Sequence, residues 1–156
     1  LLKYGLLGTD GTLSRLYARK GYPVTADEKL KITQEDIREL QLAKGAIRVG
    51  IELLLKQAGL EREDVQIIYL AGGFGYHIQI DSALQLGIFP REWKEKIKAV
   101  GNTALGGAVY GLQHHEIFQE ADRLRHNCKE LVLANEPDFQ TTYLQAMNFP
   151  VMTNLK

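Results

Sequence analysis

The sequence predicts an α/β fold, and three observations predict it. Helix-like and strand-like segments alternate from Thr33 to Met147, two short apolar runs stop abruptly at glycine, and one long amphipathic stretch carries both a start and a stop signal. The 156 residues, 45% of them hydrophobic, can bury one sizeable core and not two. A single domain, or one lobe of a larger one, is expected.

The opening run Leu1 to Leu7 reads as the last turns of an apolar helix stopped by Gly5, followed by a turn at Thr9-Asp10-Gly11-Thr12. Starting inside an element, and with leucine, it is expected to be a fragment of a longer protein. Residues 14–31 are charged and aperiodic, with Gly21 and Pro23 interrupting, so a short strand at best and then a loop are expected. Thr33-Gln34-Glu35-Asp36 then places a capping hydroxyl before a helix and an acid three residues on. Ile37, Leu40, Ile47, Ile51, Leu54 and Leu55 recur at helical spacing, while Ala43, Ala46 and Gly50 thin the surface for a close neighbour. Gly59 ends the helix, with Leu60 placed for the closing contact.

After the charged loop 61–64, Val65 to Ala71 is short, branched and nearly all apolar, as a strand covered on both faces would be. It runs into Gly72-Gly73-Phe74-Gly75. Asp81-Ser82 can cap a short helix through Leu86 that Gly87 terminates, and Pro90 permits a further turn over 91–95. Ile97 to Val100 is a second strand, broken by Gly101-Asn102-Thr103. Thr103 can cap a helix through Ala104, Leu105, Ala108, Val109 and Leu112 and onward toward Leu124. Leu131-Val132-Leu133 reads as a third strand, and Pro137 or Asp138 opens a final helix through Phe139, Tyr143, Leu144 and Met147. There is no internal repeat or low-complexity linker.

Composition excludes several classes of function. Nineteen basic residues balance nineteen acidic ones, which gives no support to a nucleic-acid or anionic-membrane partner. The single cysteine, Cys128, cannot form an internal disulfide or hold an iron–sulfur cluster. No apolar stretch approaches the roughly 20 residues that span a bilayer, and no signal segment opens the chain, so a cytoplasmic location is expected. Adjacent His114 and His115 would point about 100° apart on a helix, which suits a solvated face better than shared metal ligation. His77 reads as a loop residue. Cys128 beside His126 and Lys129 could be a nucleophile but fits a structural role, and no catalytic triad is legible. Gln34, Glu35, Arg38 and Glu39 read as the wet side of the long helix, and Trp93 as a half-buried surface aromatic.

Chemistry concentrates at the two strand ends. Three glycines in four positions at Gly72-Gly73-Phe74-Gly75 leave backbone exposed where side chains would block, so a flat or phosphorylated ligand could lie against it. A tight turn with close helix–sheet packing would use the same residues. The spacing is neither GxGxxG nor GxxxxGK[ST]. At Thr103-Ala104-Leu105-Gly106-Gly107-Ala108 a helix starts with glycines unfavourable by roughly 1 kcal/mol each, so something must approach that surface, whether a neighbouring helix or a ligand. Both features sit at carboxyl ends of strands, the edge where open α/β sheets bind ligands.

These residues also carry a resemblance. Ile68 to Gly75 resembles the adenosine motif of the actin, sugar-kinase and heat-shock-protein ATPase superfamily, and Thr103 to Ala108 resembles its second connecting motif. More narrowly, Ile32 to Lys44, the Gly-Gly-Phe-Gly turn, Ser82 to Pro90 and Val100-Gly101-Asn102 are similar to the carboxyl-terminal ATPase domain of reductive activators of corrinoid proteins, over most of Ile32 to Met147. The resemblance implies part of an actin-like, RNase H-like fold, a mixed sheet flanked by helices and truncated on its amino-terminal side. Residues 1–31 would be a remnant of the preceding subdomain and a loop, and residues 32–156 the carboxyl-terminal subdomain.

The resemblance further implies ATP with Mg2+ as cofactor, cradled by Gly72, Gly73, Phe74 and Gly75, with Gly101, Asn102 and Thr103 along the neighbouring strand end. It implies a [2Fe-2S] cluster in the intact protein only, and a corrinoid methyl-transfer protein as partner whose cob(II)alamin is reduced to cob(I)alamin; a homodimer is compatible with it. That reduction is uphill from a ferredoxin-level donor, so nucleotide-driven conformational change must favour the product. The phosphate loops and catalytic acid would lie upstream, leaving no catalytic residue here and no ATP hydrolysis by this piece alone. A small-molecule kinase or dehydratase activator of the same superfamily would share the glycine turn, and a scaffold domain with vestigial glycines is the reading from another class.

Overall fold

The computed structural model describes residues 1–114 and 116–151. The predicted long helix sets the frame. In α1 (Gln34–Ala58), the Thr33 hydroxyl accepts from the Asp36 N–H at 3.2 Å and the Asp36 carboxylate accepts from the Thr33 N–H at 2.7 Å, so two otherwise orphaned donors are satisfied reciprocally. At the other end Gly59 adopts φ 65°, and the Leu60 N–H closes on the Leu55 carbonyl at 3.0 Å. Before α1, β1 (Tyr22–Pro23) pairs antiparallel with β2 (Lys31–Ile32), and the turn after Gly8 is closed by Gly8 N–H to Thr12 O. The opening residues form one 3-10 turn, Leu2–Tyr4, capped by left-handed Gly5.

β3 (Ile68–Ala71) leads directly into α2 (Gly72–His77) and then α3 (Ile80–Leu86), which Gly87 ends at φ 76°. A 3-10 turn over Arg91–Lys96 precedes β4 (Ile97–Gly101), which pairs parallel with β3. Then come α4 (Thr103–Gln113), α5 (Ile117–Asn127), a 3-10 turn over Leu133–Asn135 and α6 (Phe139–Met147). The α/β class therefore holds, with an antiparallel pair and a parallel pair among the described residues.

One apolar cluster joins Leu7, Leu13, Ile37 and Phe149, so both ends of the described chain close on α1; a second gathers Ala83, Leu84, Ile88 and Phe89 against Ile47, Ile51, Leu70 and Ile97. Between them the core is polar. Gln41 and Lys44, one turn apart on α1, are each 1% exposed. Lys44 Nζ donates to Ala146 O at 2.5 Å and Asn148 O at 2.8 Å, and Gln41 Nε2 to Met147 O at 3.0 Å and Asp10 O at 3.1 Å. Three successive carbonyls at the end of α6, which lack intrahelical donors, are thus satisfied from α1. Burial pushes Lys44 down to about 8, with the Arg48 charge adding to the shift.

Several expectations are corrected. Gln34 is half-buried rather than wet: it accepts from Leu13 N–H at 2.9 Å and donates to Gly11 O at 2.6 Å, while Arg38 donates to Asp10 O at 2.8 Å, and together they hold the 10–13 turn. α6 approaches α1 at Gly45, where a β-carbon would meet Met147 Cγ at 3.0 Å; Ala43 and Ala46 face outward. Trp93 is 3% exposed, its Nε1 donating to Arg62 O at 2.9 Å.

The strand forms only from Ile68, where its partner begins, and is covered on one face: Leu70 meets the second cluster while Tyr69 is 62% exposed. Helix α3 starts one residue before Asp81, with Gln79 at its cap position, and Asp81 instead pairs with Lys94 at 2.8 Å. The run 131–133 forms no strand, having no strand to pair with; Leu133 turns toward α1 at Gly50. The helix from 103 does not continue to Leu124, because the chain leaves helical geometry at His114 (φ −133°, ψ 87°).

Candidate functional site

Parallel pairing decides what the glycines can do. The register runs Ile68 with Ile97, Tyr69 with Lys98, Leu70 with Ala99, and then Ala71 with Gly101, Val100 being the extra residue of a bulge. The two carboxyl ends stop level, so Gly72-Gly73 and Asn102-Thr103 leave the sheet side by side.

The glycines divide into two kinds. A β-carbon on Gly75 would lie 2.8 Å from the Leu70 carbonyl carbon and oxygen, so Gly75 is what lets α2 fold back tightly on β3. At Gly72, Gly73 and Gly101, and at Gly106 and Gly107 in α4, an added β-carbon would meet nothing within 4 Å. Gly72 and Gly101 need glycine for their backbone, at φ 81° and 71°. Gly73, Gly106 and Gly107 have neither reason. The close-packing account of the motif therefore applies to Gly75 alone among these residues.

Asn102, not Thr103, caps α4: its side chain accepts from the Leu105 N–H at 3.0 Å. Thr103 is the first helical residue, and both it and Asn102 are exposed. The Phe74 side chain lies outside the described residues, while its backbone belongs to α2. All seven residues singled out at the strand ends thus fall on one edge of the parallel pair. Gly106 and Gly107 extend the open glycine surface beyond that set; their cost within a helix was the signal that pointed to them.

The remaining candidates lie elsewhere. His77 is exposed at the end of α2, His114 stacks on Tyr110 at 4.3 Å between ring centroids, and His115 lies outside the described residues. Cys128 is exposed at the end of α5. Among the described residues no group of three His, Cys, Asp or Glu gathers to hold a metal ion, and no helix is long and apolar enough to cross a membrane.

A parallel strand pair that delivers two glycine ends to one edge, each continued by a helix, is the ligand-binding edge of an α/β domain. Comparison narrows the class. The chain belongs to the family described as the C-terminal domain of RACo, the ASKHA domain, which matches residues 9–155. It is 33% identical over 118 residues to the corrinoid activation enzyme RamQ of Eubacterium limosum, covering 76% of this chain and 20% of that protein. It is 28% identical over 128 residues to the [Co(II) methylated amine-specific corrinoid protein] reductase of Methanosarcina barkeri, covering 77% and 22%. The chain therefore spans about a fifth of the length of these curated relatives. Among solved structures, a reductive activator for corrinoid, iron–sulfur protein superposes with a TM-score of 0.78 at 26% identity, over 95% of this chain and 26% of that one.

Proposed function

We propose that the chain is the nucleotide-binding carboxyl-terminal portion of an ATP-dependent reductive activator, which reduces inactive cob(II)alamin to cob(I)alamin in a corrinoid methyl-transfer protein. The observation that carries this is the level ending of β3 and β4, which sets open glycines of both strand ends side by side in a chain of this family. The names of the relatives supply the corrinoid substrate.

The residues fit a nucleoside. With no side chain at Gly72, Gly73 or Gly101, backbone is open to a flat ring at van der Waals distance. Gly72, Gly73, Phe74 and Gly75 would cradle adenosine, and Gly101, Asn102 and Thr103 would line the neighbouring edge. Bound ATP with Mg2+ would supply the free energy that favours one conformation of the activator over another. This chain's own part is positional: Gly75 seats α2 on β3, and Asn102 fixes the start of α4. No hydrolytic step is assigned to it. A [2Fe-2S] cluster needs several cysteine ligands, and Cys128 alone does not fit one, so the cluster belongs to this reading only through the intact protein. Residues 1–31 as the remnant of a preceding subdomain, residues 32–156 as the carboxyl-terminal one, a cytoplasmic location and a homodimer complete the proposal.

The test uses the intact polypeptide, following ATP-dependent cob(II)alamin reduction by ultraviolet–visible absorption with candidate corrinoid proteins. Reduction that requires ATP, and a Gly73→Val variant that melts like the parent yet binds ATP at least about tenfold more weakly, are expected. Absence of any corrinoid reduction, or unchanged ATP binding in that variant, would refute the reading.

A further inference from the structure

Charge balances over the whole chain but not along it. Residues 1–32 hold six cations against three carboxylates, and the remaining residues carry the opposite excess. The three carboxylates are committed. Asp10 accepts from the Thr12 N–H at 2.9 Å and from the Thr12 hydroxyl at 2.8 Å, while Asp27 and Glu28 pair with Lys29 and Lys31 at 3.5 and 3.3 Å. Lys3, Arg15, Arg19 and Lys20 are left, all exposed, with no ion pair or side-chain hydrogen bond among the described residues.

The fold gathers these four. Residues 14–21 wind so that the Ala18 N–H meets Ser14 O at 3.0 Å and the Gly21 N–H meets Tyr17 O at 2.9 Å, each reaching four residues back as in an α-helix. At that spacing Arg15 and Arg19 share one side, with Leu16 and Lys20 in the adjoining row. Tyr17 turns to the other side and meets the Tyr22 ring edge-on at 5.0 Å. The turn Leu2–Tyr4 is tied to the start of this segment by Leu6 N–H to Leu1 O at 3.1 Å and Ser14 N–H to Leu6 O at 2.9 Å. Among the cations, Leu16 is 73% exposed and Tyr4 76%. Arginine and tyrosine are enriched in protein–protein contacts, and a chain with no net charge has no long-range field for a polyanion.

We propose that this face, built on Arg15, Arg19 and Lys20, docks an acidic surface of the corrinoid protein; the proposal rests on the functional reading above and names how that partner is met. Clustered like charges without internal partners repel one another, and an acidic surface relieves that repulsion. Exposed charges act chiefly on the rate of encounter and fade with salt, which suits a partner that must leave once reduced.

The test uses the intact polypeptide and a corrinoid protein that it reduces, following the initial rate against corrinoid-protein concentration at low and high ionic strength. Arg15→Gln, Arg19→Gln and Lys20→Gln combined should raise KM for the corrinoid protein about tenfold at low salt and flatten the rise of KM with salt seen in the parent. The same variant should keep kcat, ATP affinity and melting temperature. Arg15→Glu with Arg19→Glu should raise KM further through repulsion. Lys129→Gln, which removes an exposed cation from another part of the chain, should leave KM as it is. An unchanged KM in the glutamine variant, or an equal rise in Lys129→Gln, would overturn the proposal. So would a lower melting temperature or ATP affinity, which would set this face against the rest of its own polypeptide. A parent that reduces no corrinoid protein refutes the functional reading and this proposal with it; an active parent with an unshifted variant refutes this proposal alone.

Discussion

Replacing Lys44 with methionine keeps the bulk of the side chain and removes both donors that the end of α6 relies on. The carbonyls of Ala146 and Asn148, bonded at 2.5 and 2.8 Å in the parent, would be left beside an apolar side chain. An unsatisfied buried acceptor costs about 1–3 kcal/mol, so two should weaken the docking of α6 by about 2 kcal/mol or more when compared above about pH 8, where the parent buries a neutral amine and its replacement relieves no buried charge. That corresponds to a fall of about thirtyfold in hydrogen-exchange protection. The assay is exchange mass spectrometry of the intact protein, reading peptides from α6 and from the facing part of α1. A pH series adds a second readout. Lys44 has its pKa lowered from 10.5 to about 8 in the fold, so between those values the unfolded chain binds more protons and stability rises with pH. Below about pH 8 this contribution is flat. The gain across the window is about 3 kcal/mol, since a neutral amine still has two N–H donors for its two carbonyls. Methionine should abolish that slope. Protection of α6 that is unchanged or higher in the variant would refute the reasoning.

The glycine edge and the helix contacts yield further expectations. Gly75→Ala should destabilise the β3–α2 junction by about 1–3 kcal/mol, because its β-carbon would sit 2.8 Å from Leu70 backbone, whereas Gly73→Ala should leave melting unchanged or slightly raise it; thermal unfolding of the pair checks this. Asn102→Ala should cost about 1 kcal/mol and raise exchange only in the first turn of α4. Gly45→Val should push α6 off α1, since even a β-carbon there lies 3.0 Å from Met147 Cγ; faster exchange in both helices is the expected result.

Local rules carried part of this fold in the sequence. Both ends of α1 were legible because a capping box and a terminal glycine act within a few residues. Both strands were legible as short apolar runs that stop at glycine, although β3 begins only at Ile68 and is covered on one face, and their parallel pairing and level register came from the structure. What was hidden depends on partners about a hundred residues away. Gln41 and Lys44 look like solvent-facing residues until the end of α6 supplies carbonyls for them. Leu131-Val132-Leu133 has strand chemistry but no strand beside it, and pairing rather than propensity makes a strand.

The crossing of the two chain ends on α1 has a mechanical meaning. The Phe149 N–H donates to Thr9 O at 2.7 Å, and Gln41 bridges Asp10 O and Met147 O. A pull applied between residues 9 and 149 therefore loads these bonds together, as a clasp does, and leaves the β3–β4 ladder unstrained. Segments attached at either position bear on the same point of α1, at a distance in the chain from the glycine edge.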